Sequence, residues 1–102
     1  MVNGFDIYQK TQRIPVIIDS KTIKIRQKKY LLHPDQTLGD FIYFLRQKGH
    51  IFIESSESLY VLEKHTNVVP RQRDKFSEAY HHLNHHKDGF LYLTIEKEHW
   101  FG

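Results

Sequence analysis

The sequence predicts an α+β fold, a four-stranded mixed sheet with two main helices laid across it. Three observations predict it. Two extended, β-branched stretches near the N-terminus are separated by a short polar segment. One amphipathic segment, TLGDFIYFLRQKG, carries a complete set of helix signals. A late run, GFLYLTIE, is apolar enough to lie inside a sheet rather than at its rim.

The first twelve residues lack apolar periodicity, and Phe5, Ile7 and Tyr8 can anchor at most one short helix. RIPVIID, residues 13–19, reads as a buried strand. Asp19, Ser20 and Lys21 form a turn, and a second extended stretch runs from about Ile23 to Leu32, giving an antiparallel hairpin with the first. Pro34 keeps His33 extended. Thr37 then caps a helix, with Asp40 three residues on as a capping-box variant. Leu38, Phe41, Ile42 and Leu45 make one apolar stripe, Arg46 and Lys48 occupy the last turn, and Gly49 suits the position just past the end. SLYVLE, residues 58–63, is a short strand, followed by a loop over 64–72. A second helix spans 74–83 with Phe76, Ala79, Tyr80 and Leu83 on one face, and the final strand covers 89–96. Strand, strand, helix, strand, helix, strand is the order of a β-grasp, or ubiquitin-like, arrangement.

At 102 residues the chain is the size of one small domain, and 39% hydrophobic content suffices for one core. There is no cysteine, which rules out disulfides, thiolate metal sites and a catalytic cysteine and is compatible with a cytoplasmic address. No stretch approaches the roughly 20 apolar residues of a membrane span. Nor does MVNGFDIYQK contain the apolar segment of a signal peptide. Any membrane attachment must then come from surface charge or a covalent lipid. The net charge of +3 is uneven: the first half of the chain is basic and the second slightly acidic. The basic excess lies in Lys21, Lys24, Arg26, Lys28 and Lys29. Such a patch suits nucleic acid, anionic lipid or an acidic peptide, and equally a solvated strand edge whose lysines discourage aggregation.

In YHHLNHH, the pairs His81–His85 and His82–His86 have helical metal-ligand spacing, but no acidic general base sits between them, and a solvated helix end is the expected reading. No phosphate-binding glycine loop is present, and nothing nominates a nucleophile, base and oxyanion donors together. The chain is therefore expected to be no enzyme and to need no cofactor or metal.

RIPVII, KKYLLHPDQTLGDFIYFLR and DGFLYLTIEKEHWFG together resemble the autophagy-related protein 8 family, the ubiquitin-like modifiers of autophagosomes. The resemblance runs from about Arg13 to Gly102. It divides the chain into a short N-terminal segment, 1–12, and a ubiquitin-like domain, 13–102, ending in a conjugation tail, 97–102. Two departures stand out. The family usually carries two helices before the first strand, and here about twelve residues precede Arg13. His33 stands where the family usually has proline, and Gln36 where it usually has an apolar residue.

The resemblance implies that Gly102 is the conjugated residue, joined to the amine of phosphatidylethanolamine by activating and conjugating enzymes. A Cβ-free residue enters a narrow enzyme slot easily, and Trp100 and Phe101 would help partner enzymes grip the tail. A cysteine protease would process and deconjugate it. The chain would be cytoplasmic, and on the autophagosome membrane when lipidated. It further implies that the strand around Lys28–Leu32 is an edge that binds receptor and cargo peptides carrying an aromatic residue and, three positions on, an aliphatic one. The aromatic pocket would use Pro15, Ile17, Lys29, Leu31 and Phe90, with Arg13 at the rim; either Ile7 or Tyr8 replaces the wall that the shortened N-terminal segment lacks, or the pocket lies more open. The aliphatic pocket would use Tyr30, Leu32, Phe41 and Phe44, with Arg46 pairing an acidic group of the motif. Ile17, Leu31, Phe41 and Phe90 equally suit an ordinary core. Two other readings stay open: a modifier joined to a protein lysine, as in the autophagy-related protein 12 family, and an unconjugated module on microtubules or RNA. On the preferred reading no nucleic-acid partner is expected.

Overall fold

The structure, a computed structural model, describes residues 3–83 and 87–98. His85, His86, Trp100, Phe101 and Gly102, singled out above, lie outside the described residues. In chain order the elements are α1 (Gly4–Thr11), β1 (Ile14–Asp19), β2 (Lys24–Ile25), β3 (Lys29–Leu32), α2 (Leu38–Gln47), β4 (Ile51–Phe52), β5 (Leu59–Glu63), α3 (Phe76–Leu83) and β6 (Leu91–Lys97). The main sheet has the order β3-β1-β6-β5. β1 pairs antiparallel with β3 and parallel with β6, and β5 pairs antiparallel with β6. This is the mixed four-stranded sheet of a β-grasp, with β6 central as its composition predicts.

The expected hairpin is only half right. The stretch 23–32 is two strands, not one. β3 returns along β1, whereas β2 leaves the main sheet and pairs with β4 in a separate two-stranded ribbon. β4 lies in the short β-prone run Ile51–Ile53, for which no strand was expected; it pairs there because Ile51 finds Ile25 across the ribbon and both pack against the core. The second main helix begins at Phe76 rather than 74, because Lys75 bridges to Thr37 and ties the two helix entrances together.

Helix α2 forms as its local signals require. Thr37 Oγ1 accepts from Asp40 N, and Asp40 Oδ2 accepts from Thr37 N, a complete capping box. Gly49, at φ +66, ends it: Gly49 N donates to Arg46 O and His50 N to Leu45 O, closing a Schellman motif. Its stripe of Leu38, Phe41, Ile42 and Leu45 packs with Phe76, Ala79 and Tyr80 of α3 over the inward side chains Ile14, Val16, Ile18, Leu91, Leu93 and Ile95. Each such apolar side chain taken fully from water contributes about 1.5–3 kcal/mol.

Residues Ile14–Val16 are buried without alternation, because β1 is central and α1 packs against it as well as α3. Proline is unusual in a central strand. It is accommodated at Pro15 because the β1–β6 ladder begins only at Val16, so no hydrogen bond is lost.

Candidate peptide-docking site

Strand β3 is an edge of the sheet, as expected, with β5 at the other side. Its alternation is clean: Lys29 and Leu31 are exposed, Tyr30 and Leu32 buried. The ladder is phased by Ile18 N donating to Lys28 O. In an antiparallel pair the bonded residues alternate, so Tyr30 and Leu32 turn their amides toward β1 while Lys29 and Leu31 turn theirs outward. The outward Lys29 carbonyl is met at 3.0 Å by the side-chain amide of Gln27. An extended peptide added to this edge would take over that acceptor.

On the sheet face opposite the core lies a cleft of about 790 Å³, lined by Ile7, Thr11, Ile17, Lys29, Tyr30, Leu31, Phe90 and Tyr92. Ile17 and Lys29 are register partners, as are Pro15 and Leu31, so their side chains share this face. Helix α1 supplies the wall. Asn3 caps it, its side chain accepting from Phe5 N at 2.7 Å, and Gln12 closes it in a left-handed conformation at φ 57. Of the two residues expected to replace the missing wall, Ile7 reaches the cleft, whereas Tyr8 turns to Tyr80, 5.2 Å between ring centroids.

Of the expected aromatic-pocket residues, Ile17, Lys29, Leu31 and Phe90 come together. Pro15 is fully buried beneath them. Arg13 is exposed just before β1 and does not line the cleft; Thr11 does. Tyr92 is a lining residue that sequence reading missed. Its place on the open face follows from strand alternation with Phe90, the one signal that could have found it. Tyr92 stacks edge-on with His65 and Phe90, and its hydroxyl donates to Asp88. Burial, reinforced by the Asp88 bond and charge, pushes its pKa up to about 12, so it stays a neutral phenol.

The four residues expected for the aliphatic pocket form a packed cluster. Tyr30, Leu32 and Phe41 are buried in the core and Phe44 is half-buried. Tyr30 meets Phe41 edge-on at 5.1 Å and donates its hydroxyl to Gln27 O. Burial pushes its pKa to about 12. His50, also missed in the sequence, packs between β3 and α2, with ring centroids 5.9 Å from Tyr30 and 5.4 Å from Phe44. Its Nδ1 is buried without a hydrogen-bond partner among the described residues. Arg46 points elsewhere: Nη2 donates to the backbone carbonyls of Glu57 at 2.8 Å, Glu54 at 3.2 Å and Ser55 at 3.5 Å, clasping the loop before β5.

The protein family described as "Autophagy protein Atg8 ubiquitin like" matches residues 3–102. Autophagy-related protein 8e of Arabidopsis thaliana is 35% identical over 94 residues, spanning 88% of this chain and 73% of its own. Autophagy-related protein 8A of Oryza sativa subsp. indica is 34% identical over 96 residues, spanning 90% and 76%. Among solved structures, the crystal structure of Trypanosoma brucei ATG8 superposes with a TM-score of 0.76 at 24% identity, over 97% of this chain and 85% of that one. Plasmodium falciparum Atg8, solved in complex with a Plasmodium falciparum Atg3 peptide, gives 0.69 at 24% identity, over 90% and 82%. Both share the ubiquitin-like fold with this chain.

Proposed function

This chain belongs to the Atg8 family of ubiquitin-like autophagy proteins, and we propose that it is conjugated through Gly102 to phosphatidylethanolamine and recruits partners that carry aromatic-x-x-aliphatic motifs. The observation that carries the reading is the free edge of β3 beside the cleft: Lys29 and Leu31 present outward backbone groups exactly where Ile7, Ile17 and Phe90 form an apolar hollow. The peptide's aromatic residue enters that hollow, and its acidic flank meets Lys29. The aliphatic residue is received between β3 and α2, which requires Phe44 and His50 to part. An Atg3 peptide bound to the Plasmodium Atg8 supports a conjugating enzyme among the partners. Activating enzymes and a processing cysteine protease complete the cycle. The chain is a substrate of these enzymes, not an enzyme. It acts in the cytoplasm and, once lipidated, on the autophagosome membrane, held by a lipid with two acyl chains.

The test is reconstitution with activating and conjugating enzymes and phosphatidylethanolamine liposomes. The chain becomes membrane-bound with the mass of one added lipid, and Gly102→Ala does not. A Gly102–lysine isopeptide in place of the lipid adduct overturns the lipid assignment. For docking, a labelled aromatic-x-x-aliphatic peptide is titrated against the chain. Leu31→Ala lowers affinity about tenfold, in line with loss of one buried contact of 1–2 kcal/mol, and no loss rejects the cleft.

A further inference from the structure

Lys21, Lys24, Arg26, Lys28 and Lys29 are all exposed. Among the described residues none forms an ion pair with a carboxylate. The topology decides where they go. Because β1 and β6 run parallel, the turn after β1 and the chain leaving β6 lie at the same end of the sheet. They are bonded together there. Glu96 Oε1 accepts from Ser20 Oγ at 2.6 Å, Lys21 N at 2.8 Å and Thr22 N at 3.0 Å, and Lys97 N donates to Thr22 Oγ1 at 2.9 Å. The basic connector from β1 to β3 thus begins beside the exit of the C-terminal segment.

The β2–β4 ribbon in this connector has two unlike faces. Ile25 and Ile51 face the core. On the other face Lys24 stands opposite Phe52, its Nζ 5.7 Å from the ring centroid, and Arg26 follows Lys24 at a spacing of two. Phe52 is 51% exposed. An aromatic ring set among cations is suited to a bilayer interface, where the cations meet lipid phosphates and the ring sits at headgroup depth. The acids nearby are largely engaged. Asp19 holds Lys64, Glu57 holds Lys97, and Glu96 is buried in the turn; Glu54 and Glu98 remain exposed.

We propose that the outer face of the β2–β4 ribbon, with Lys24, Arg26 and Phe52, is a membrane-docking surface for acidic phospholipid headgroups. Its role in orienting the protein rests on lipid attachment at Gly102. From Glu98 four residues reach at most about 14 Å, so such a lipid holds this end of the sheet against the bilayer. The headgroup contact itself does not need conjugation, and that separates the two readings.

The experiment is co-sedimentation of the unconjugated full chain with phosphatidylcholine vesicles, with and without phosphatidylserine. The chain partitions onto the phosphatidylserine vesicles only, and less as salt rises. Lys24→Gln with Arg26→Gln lowers the partition coefficient about 25-fold, at roughly fivefold per cation. Phe52→Ala lowers it severalfold. Gly102→Ala binds like the parent, so a failure of conjugation leaves this result standing. Equal binding to both vesicle types, undiminished binding by the double variant, or tighter binding to a single-stranded RNA oligonucleotide than to the vesicles overturns the proposal. The substituted side chains are exposed, and an unchanged thermal melt confirms the fold of each variant.

Discussion

Gly4 and Gly89 pack backbone against backbone. Gly4 N donates to Asp88 O at 2.6 Å. A Cβ on Gly4 would stand 2.4 Å from the Gly89 carbonyl carbon, and one on Gly89 would stand 2.3 Å from Phe5 N. This contact fastens the start of α1 to the turn before β6. It therefore holds Ile7 on the cleft wall from a distance.

Gly89→Ala tests that fastening. The substitution meets backbone rather than a movable side chain, and it must adopt φ +79. The expected cost is about 2–3 kcal/mol. That corresponds to a fall in Tm of roughly 10 °C or more for a domain of this size. Amide exchange across α1 should accelerate, and peptide affinity should fall although no cleft side chain has changed. Unaltered protection in α1 would show that the helix is held by other contacts.

Gln27→Ala should strengthen peptide binding. The Gln27 amide occupies the Lys29 carbonyl that an added strand needs. Removing a competing exposed hydrogen bond of about 0.5–1 kcal/mol raises affinity two- to fivefold. Calorimetric titration against the parent reads the change directly, and a weaker complex would mean that the peptide does not use this carbonyl.

Arg46 separates a structural role from a binding one. Arg46→Ala should destabilise the fold by about 1–2 kcal/mol through its lost carbonyl contacts. Arg46→Lys should rescue little, since a lysine lacks the planar fork. Lys29→Ala should do the reverse, leaving stability within about 0.5 kcal/mol and weakening acidic peptides. Denaturant titration paired with peptide binding distinguishes them. Equal stability of Arg46→Ala and parent would dismiss the clasp.

Acid should loosen the end of the sheet from which the tail leaves. Burial pushes the Glu96 carboxyl up, but donors from Ser20, Thr22 and Lys21 outweigh it and leave the pKa below its ordinary 4.5. Asp19 is likewise partly buried, yet Lys64 and Thr94 hold it below 3.8. A pKa lower in the folded than the unfolded state stabilises the fold above the unfolded value, and that stabilisation is lost as pH falls through the folded value. Stability should therefore decline from about pH 4.5 downward. Glu96→Gln should cost about 2 kcal/mol near neutrality and flatten that decline. Urea titrations across the acid range would show it, and identical slopes for parent and variant would exclude Glu96 as a contributor.

The two ends of α2 show what was legible in advance. Thr37, Asp40 and Gly49 act on backbone groups within a few residues of themselves, so their roles could be read from spacing alone. The edge position of β3 and the meeting of Ile17, Lys29, Leu31 and Phe90 were expected from the family resemblance, not from the hydrophobic pattern, which gives the alternation within each strand but not the order of strands. The strand break within 23–32 was not legible, since β2 exists only by pairing with Ile51 and Phe52. Tyr92 could have been placed by its alternation with Phe90, whereas His50 takes its position from Tyr30, on a strand far from it in sequence. The resemblance paired Arg46 with an acidic group of the peptide; its position on the helix says nothing about the loop whose carbonyls it contacts.

By itself, then, the sequence determined α2 with both its caps, the approximate place of α3, the runs that form the main sheet and the uneven charge, all products of short-range sterics and periodic burial. Only the tertiary structure decided that α1 walls the cleft, that Arg46 clasps a loop, and that the basic connector shares an end of the sheet with the departing tail. Those outcomes depend on contacts between residues tens of positions apart, and such contacts are set by how the layers pack together, not by any local preference of the chain.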